Sequence, residues 1–327
     1  MNILITGITG MVGSHLAEYL LSSIPEVEVH GLVRWRSPLR NIQGVLPRIR
    51  LHQGDLRDLN SLVRLLCDVM PDRIHHLAAQ SYVDMSFVAP ADTLHSNVIG
   101  TCNLLDAVRI AGIDPRIHIC SSSEVYGQVS PDQVPISEQT PLRPASPYAV
   151  SKVGEDMIAF QYGLSYRLDL VRTRMFTHTG PRRGDVFAES SFARQIAEIE
   201  AGRRRGPVLV GNLDSVRTLA DVRDAVRAYK LLLDRCPGGE VYNIGGNETM
   251  TVGEILETLK SLAVVPIEHR VDPKRLRPSD VTLQIPDTRK FREATDWTPE
   301  IPARQTLSDL LDYQRAAVRL ELSLIHI

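Results

Sequence analysis

Asn2-Ile-Leu-Ile-Thr-Gly7-Ile-Thr-Gly10-Met-Val-Gly13 is the stretch on which the reading of this chain turns. Asn2–Thr6 is a short apolar, β-branched run and reads as a buried strand. Met11–Ser22 reads as a helix, with Leu16, Leu20 and Leu21 on one face. Between them lie three glycines spaced as G-x-x-G-x-x-G. Glycine lets the backbone turn tightly and lets a pyrophosphate come close, and the first amides of the helix then face the anion with a partial positive charge. The alternative is a plain strand–helix turn, which needs no such spacing. Gly7, Thr9, Gly10, Met11, Val12 and Gly13 are therefore expected to hold a dinucleotide.

The alternation continues downstream. Glu28–Val33, Ile49–Gln53, Arg73–Leu77, Arg116–Ser121 and Leu168–Arg174 read as strands. Leu59–Val69 and Ser96–Ala111 read as helices, and Ser146-Pro147 is a helix start signal for a helix reaching about Tyr162. Such alternation means a parallel sheet covered on both faces. After Thr177 the pattern loosens, with helical stretches at Phe192–Ala201 and Asp221–Asp234. The expected fold class is α/β, a Rossmann-type doubly wound parallel sheet with a smaller C-terminal substrate-binding lobe. Residues 1–175 are expected to form mainly the dinucleotide domain and 176–322 mainly the lobe, with the chain interleaving between them. Residues 323–327, Ser-Leu-Ile-His-Ile, fit no element and read as a tail.

Composition narrows the class. The chain has 327 residues, enough for one large domain or two modest ones. A net charge of −2 creates no strong field toward nucleic acid or a membrane surface, and 5 % aromatic residues disfavour a base-stacking platform. Cys67, Cys102, Cys120 and Cys236 lack C-x-x-C spacing, so free thiols in a reducing compartment are expected and no metal site. No leader-like segment and no apolar run of membrane-spanning length is read, and the expected location is the cytoplasm.

Three further groups carry chemistry. After the second strand, where an acid would bind a ribose 2′-hydroxyl, stand Arg34, Trp35 and Arg36. Two guanidinium groups suit a 2′-phosphate, so NADP is expected in preference to NAD; the alternative is a solvated basic turn. Tyr148 and Lys152 lie four apart on a helix, and a nearby ammonium favours the phenolate, which makes Tyr148 a usable acid/base. By itself such a pair is as readily a surface pair. Ser121-Ser122-Ser123-Glu124 ends the fifth strand, at the edge where ligands sit in open α/β sheets; the alternative is an ordinary capped turn. His75 and His76 have no matching ligand cluster and read as structural.

Taken in order, GITGMVG, Gly54-Asp55-Leu56, Leu77-Ala-Ala-Gln-Ser81, NVIGT at Asn97, SSSEVYG, SPYAVSK, RTRMFTHTGPRRG, VGNLDSVR and LRPSDV make the sequence resemble the extended short-chain dehydrogenase/reductase family. Within it the chain is similar to the GDP-mannose 4,6-dehydratase and GDP-4-dehydro-6-deoxymannose reductase branch, over nearly its whole length. The resemblance implies that Asp55 and Leu56 contact the adenine, and that Leu77, Ala78, Ala79, Gln80 and Ser81 line the pyrophosphate and nicotinamide ribose. It implies Tyr148 as acid/base, Lys152 on the ribose, Ser122 beside the C4 oxygen and Glu124 as the elimination acid/base. His178 and Arg183 match cofactor contacts. Ser122, Ser123, Glu124, Thr177, Asn212, Arg217 and Arg277 fall at substrate positions, the two arginines on the diphosphate. The family's usual threonine is here Ser122, which keeps the hydroxyl, and its usual asparagine is here Thr177, which alters the hold on the sugar.

The implied activity is a nucleotide-sugar dehydratase acting on a GDP-linked hexose: oxidation at C4, loss of water across C5 and C6, and hydride return to C6. The 4-reductase needs only the Tyr148 half of that chemistry. A nucleotide-sugar epimerase and a non-catalytic dinucleotide sensor are further alternatives, though a sensor has no use for the Tyr148/Lys152 pair and strand-end hydroxyl. A homodimer or homotetramer is implied, pairing through the helices near Asn97–Ala111 and Pro147–Tyr162, with Val150, Val153, Met157, Ile158 and Gln161 on the flank.

Overall fold

The structure, a computed structural model, describes residues 1–276 and 280–325. Its core is a sheet of seven parallel strands. β1 (Asn2–Thr6), β2 (Glu28–Val33), β3 (Ile49–Gln53), β4 (Arg73–His76), β5 (Arg116–Ser122) and β6 (Leu170–Met175) are joined by the strand Val241–Ile244. The order across the sheet is Val241–Ile244, β6, β5, β4, β1, β2, β3. The sequence runs outward from β1 in one direction and then from β4 in the other, so the strand order reverses between β1 and β4. That reversal opens a crevice at the carboxyl ends of these two strands.

Burial on both faces explains the unbroken apolar runs. Ile3 and Ile5 face one cluster with Leu16, Leu20, Val29 and Val226, while Leu4, between them, packs with Ile74, Ile117, Leu66, Leu104 and Leu105 on the other. The first cluster is supplied by α1 (Met11–Ser23), and the second by α2 (Leu59–Val69) and the helix Gly100–Ala111. Asp58 caps α2 by accepting from the Asn60 amide, and Ser146 caps the helix Pro147–Tyr166 by accepting from the Ala149 amide.

Expected and observed elements differ mainly at their ends. β4 stops at His76, and Leu77 begins the crevice loop. The helix expected from Ser96 is preceded by Pro90–Leu94 and begins with a π turn at His95–Ile99. The helix from Pro147 continues to Tyr166, four residues beyond the expected end. The last helix, Ala303–Ile325, absorbs the first three residues of the expected tail.

The second half of the chain crosses between layers. The helix Val222–Arg235 and the strand Val241–Ile244 return to the large sheet, packing Tyr229, Leu232 and Tyr242 against Val171 and Met175. The remaining segments build a lobe around Val216–Asp221. This strand pairs parallel with His178–Thr179 and Leu283–Gln284 and antiparallel with Glu248–Thr251. The helices Ala188–Glu200, Val252–Ser261 and Ala303–Ile325 share its apolar cluster. Among the described residues, no helix is long and apolar enough to cross a membrane.

Candidate active site

The crevice is built from backbone. Gly7 adopts φ +74°, and a Cβ placed on it would lie 2.9 Å from both Cα and N of Ala78. A Cβ on Gly13 would meet the Gly7 carbonyl oxygen at 2.3 Å. Glycine at both positions is thus a steric requirement of the loop. Thr6 ties the two strand ends together: its Oγ1 accepts from the amides of Leu77 and Ala78, each at 3.1 Å. Gly10 is the N-cap residue of α1, so the first amides of that helix, at Met11, Val12 and Gly13, point toward the crevice.

Farther along the sheet edge, Arg34, Trp35, Arg36, Ser37, Pro38, Gln53, Gly54, Asp55 and Asp58 line an open groove of about 580 Å³. Among the described residues neither Arg34 nor Arg36 is in an ion pair with a carboxylate; the Arg36 guanidinium stacks 4.6 Å from the centre of the Trp35 ring. Burial alone would raise the Asp55 pKa, but hydrogen bonds from the Arg57 amide and side chain, and the charges of Arg57 and Arg34, hold it below the usual carboxylate value. Leu56 packs under Gly100, and its carbonyl accepts from Asn103 at 2.8 Å. Gln80 is fixed at the crevice wall: its amide donates to Asn97 Oδ1 at 2.7 Å, and its side chain reaches Tyr82 and Thr93. Ala79 and Ser81 flank it, with Ser81 exposed.

Tyr148 and Lys152 stand side by side at the start of the helix Pro147–Tyr166, both almost fully buried. The phenol lies near Ser122, which β5 presents at its carboxyl end and whose hydroxyl favours the phenolate. Glu124 follows in a single 3-10 turn and is half-buried; its amide donates to Ser122 Oγ at 3.2 Å. Lys152 donates to the Cys120 carbonyl at 2.9 Å. The Lys152 charge does pull the Tyr148 pKa down as expected, but the net direction is the opposite one. Burial outweighs everything else and raises it, while the Lys152 charge and the Ser122 hydroxyl pull it back only in part.

Two arginines fasten this helix. Asp156, fully buried, accepts from Arg172 Nη1 and from Arg174 Nε, each at 2.7 Å. Both arginines project from β6, so the pairs fix the helix against β6.

The remaining expected residues divide. His178 is near Arg183; burial, and then the Arg183 charge, push the imidazole pKa down to about 4, and its Nδ1 lies 3.1 Å from the Phe176 carbonyl oxygen. Arg183 stacks 3.6 Å from the centre of the Phe187 ring. Burial lowers the Arg183 pKa against the raising effects of Glu189 and Tyr148. Thr177 lies half-buried, its carbonyl accepting from the Ala220 amide at 3.0 Å. Ser123 was expected on the substrate, but it is buried and hydrogen-bonded in both directions to Gln284, so it joins β5 to the lobe instead. Asn212 is likewise engaged in its own turn, with Asp280, Ser215 and the Asp214 amide. Arg217 donates to the carbonyls of Val216 and Val281. Arg277 lies outside the described residues.

Sequence reading passed over three residues at this site. Asn97 holds Gln80 and Ser151; its signal lay in the NVIGT stretch. Gln284 carries no local signal, because it reaches Ser123 from 161 residues away. Glu155 is paired with Lys152, and its signal was a carboxylate three residues after the lysine on the same helix.

The family model described as GDP-mannose 4,6 dehydratase matches residues 4–310. The chain is 34 % identical to GDP-6-deoxy-D-mannose reductase of Pseudomonas aeruginosa over 317 residues, covering 97 % of this chain and 98 % of that protein. It is 34 % identical to GDP-mannose 4,6-dehydratase of Yersinia enterocolitica over 355 residues, covering 96 % and 94 %. Among solved structures, RMD from Pseudomonas aeruginosa complexed with NADPH superposes with a TM-score of 0.84 at 32 % identity, covering 97 % of this chain and 99 % of that one.

Proposed function

This chain belongs to the GDP-mannose 4,6-dehydratase family, and on that premise we propose that it is an NADP-dependent GDP-mannose 4,6-dehydratase. The observation that carries the reading is the pair of proton-transfer groups at the end of β5. Tyr148 lies near Ser122, and the Glu124 amide donates to the same Ser122 hydroxyl two residues farther on.

The residues present fit NADP. The glycine turn and the α1 N-terminus suit its pyrophosphate, and Arg34 and Arg36 suit its 2′-phosphate. Lys152 suits the nicotinamide ribose. NADP, when bound, supplies the hydride acceptor and donor. Tyr148 takes the proton of the sugar C4 hydroxyl as C4 is oxidised. The resulting C4 ketone acidifies the C5 proton; Glu124 removes it and gives a proton to the C6 hydroxyl, which leaves as water. Tyr148 and Ser122 hold the C4 oxygen throughout. The hydride removed from C4 returns to C6, C5 takes up a proton, and Tyr148 releases to solvent the one it took from the C4 hydroxyl, so the net change is loss of one water from the hexose.

A specific observation favours the second reading, a GDP-4-dehydro-6-deoxymannose 4-reductase. The reductase aligns over 317 positions using 97 % of this chain, so almost no gaps fall in it. The dehydratase alignment runs to 355 positions while using 96 % of the 327 residues, so gaps do. The two readings separate in one experiment: incubation with GDP-mannose and catalytic NADP, without reductant, followed by product analysis. Formation of the 4-keto-6-deoxy sugar is expected. No product, together with NADPH consumption when that keto sugar is supplied, replaces the first reading with the second.

Two coarser features extend the proposal. The outer face of the helix Pro147–Tyr166 exposes Val150, Met157, Phe160 and Leu164, and Ile99 is exposed at the end of the π turn His95–Ile99. This stripe supports a homodimer through paired helices. Val153 and Ile158, expected on it, instead pack partly into the core. Four free cysteines, one of them exposed, suit work in the reducing cytoplasm.

A further inference from the structure

Lys152 has three N–H donors, and its position depends on where they go. One donates to the Cys120 carbonyl at 2.9 Å. A second meets the carboxylate of Glu155, one turn farther along the same helix, in direct ion-pair contact with both side chains almost fully buried. Glu155 Oε1 lies 3.3 Å from the Thr101 hydroxyl oxygen, whose single proton is shared between this carboxylate and the nearer Asn97 carbonyl. Thr101 Oγ1 is 2.7 Å from that carbonyl and 3.0 Å from His76 Nε2; His76 Nδ1 in turn meets Thr6 Oγ1 at 2.8 Å. The chain of contacts thus runs from the lysine to the residue that fastens the crevice loop. A buried ammonium with two donors fixed has one donor left, and its direction is set.

We infer that Glu155 is a positioning residue for the hydride-transfer centre, aiming the free donor of Lys152 into the crevice and keeping the buried lysine charged. This rests on the reading of Tyr148 and Lys152 as that centre.

The surroundings leave this role to Glu155. From β4 and β5, His76 and His118 face the lysine, but burial and then neighbouring positive charge keep both imidazoles neutral, His76 with a pKa of about 3. Cys120 on β5 and Tyr229 on the helix Val222–Arg235 are buried, and burial pushes both pKa values up, so they are uncharged. Asp156 is paired with Arg172 and Arg174, and Arg183 approaches Tyr148 from the loop after β6. Desolvation by itself lowers the Lys152 pKa; Glu155 is the largest effect opposing it, and the net direction is up. Glu155 also raises the Tyr148 pKa. Removing its charge therefore moves both groups the same way, downward.

The test is Glu155→Gln, which keeps the shape and the Thr101 contact, beside Glu155→Asp, which keeps the charge on a shorter arm. Two quantities are read against pH: NADPH affinity by fluorescence titration, and turnover with whichever of GDP-mannose or the 4-keto-6-deoxy sugar the wild type consumes. An opposite charge in contact shifts a pKa by about 1–3 units. In the Gln variant the alkaline fall in NADPH affinity should move down by about that amount, and the acid limb of turnover should move down with it. Glu155→Asp should lie between the two proteins, and it reads the same quantities should the Gln variant not fold. Binding curves that superimpose on wild type at every pH, or that drop uniformly without shifting, overturn the inference. If wild type turns over neither sugar, the functional proposal fails, while the binding curves still decide the role of Glu155.

Discussion

Gly7→Ala tests the location of the dinucleotide site through a contact whose size the structure gives. The new methyl carbon would lie 2.9 Å from Cα and N of Ala78 and 3.1 Å from the Leu77 carbonyl carbon. These are backbone atoms, held by hydrogen bonds to Thr6, so no side chain can swing aside. The left-handed conformation at φ +74° adds its own cost, about 1–2 kcal/mol for a residue with a Cβ. Overpacking against fixed atoms adds about 1–3 kcal/mol. The sum, about 2–5 kcal/mol, corresponds to a fall in melting temperature of about 3–7 °C for a chain of this size. Gly112→Ala is the control. Gly112 also has a positive φ, +65°, but nothing lies within 4 Å of its Cβ position, so it bears the conformational cost alone. A thermal melt of both variants should therefore show Gly7→Ala the less stable. An NADPH titration should show at least about a tenfold loss of affinity for Gly7→Ala and none for Gly112→Ala, a tenfold change being about 1.4 kcal/mol. Equal melting temperatures would refute the packing argument. A destabilised Gly7→Ala that binds NADPH as wild type does would refute the placement of the pyrophosphate at this turn.

Replacing Arg34 and Arg36 together by alanine should weaken NADP binding by about tenfold or more and leave NAD binding unchanged, because charge-assisted hydrogen bonds to a 2′-phosphate are lost; isothermal titration with both cofactors decides it. Acid should destabilise the fold before the carboxylates titrate. Burial depresses the folded-state pKa of His75 and His76 to about 3 and that of His118 well below its usual value, so their contribution is complete above the unfolded value of about 6.5. Below it the unfolded chain binds more protons and stability falls toward pH 3, so a urea midpoint no lower at pH 5 than at pH 7 would contradict this. Leu164→Glu should convert a dimer into a folded monomer, since Leu164 is 74 % exposed in the single chain; light scattering reads the change, and a wild type that is already monomeric removes the proposed interface.

What could be read in advance follows the physics of each element. β1, β2 and α2 begin and end where their residue types change, because a short, largely apolar run suits a strand buried on both faces and an N-capped amphipathic stretch suits a helix. The glycine turn was legible because its conformational demand is local. Ser123 was misread because its partner, Gln284, arrives from the far lobe, and no local pattern announces a contact across 161 residues. The bonds of Asn212 were hidden for a related reason: a residue inside a recognisable motif can also fasten its own turn, here to Asp280. The direction of the Tyr148 shift was missed because the sign of one neighbour is visible in sequence and the depth of burial is not.

The helix Pro147–Tyr166 shows why the site itself resists pattern reading. Its buried positions include Tyr148, Ser151, Lys152, Glu155 and Asp156, while Val150, Met157, Phe160 and Leu164 are exposed. Relative to a surface helix of an ordinary domain, polarity is reversed. Each buried polar group nevertheless has a partner: Tyr148 with Ser122, Ser151 with Asn97, Lys152 with Glu155, and Asp156 with two arginines of β6. Burying unpaired charge is costly, and breaking a buried pair by removing one member costs about 3–5 kcal/mol. The partners also fix the orientation of the groups they hold. The interactions that make a polar inner face tolerable are thus the same ones that aim Lys152 and seat Tyr148 at the crevice. The apolar outer face, with Val150, Met157, Phe160 and Leu164 exposed, is the surface on which the proposed homodimer rests.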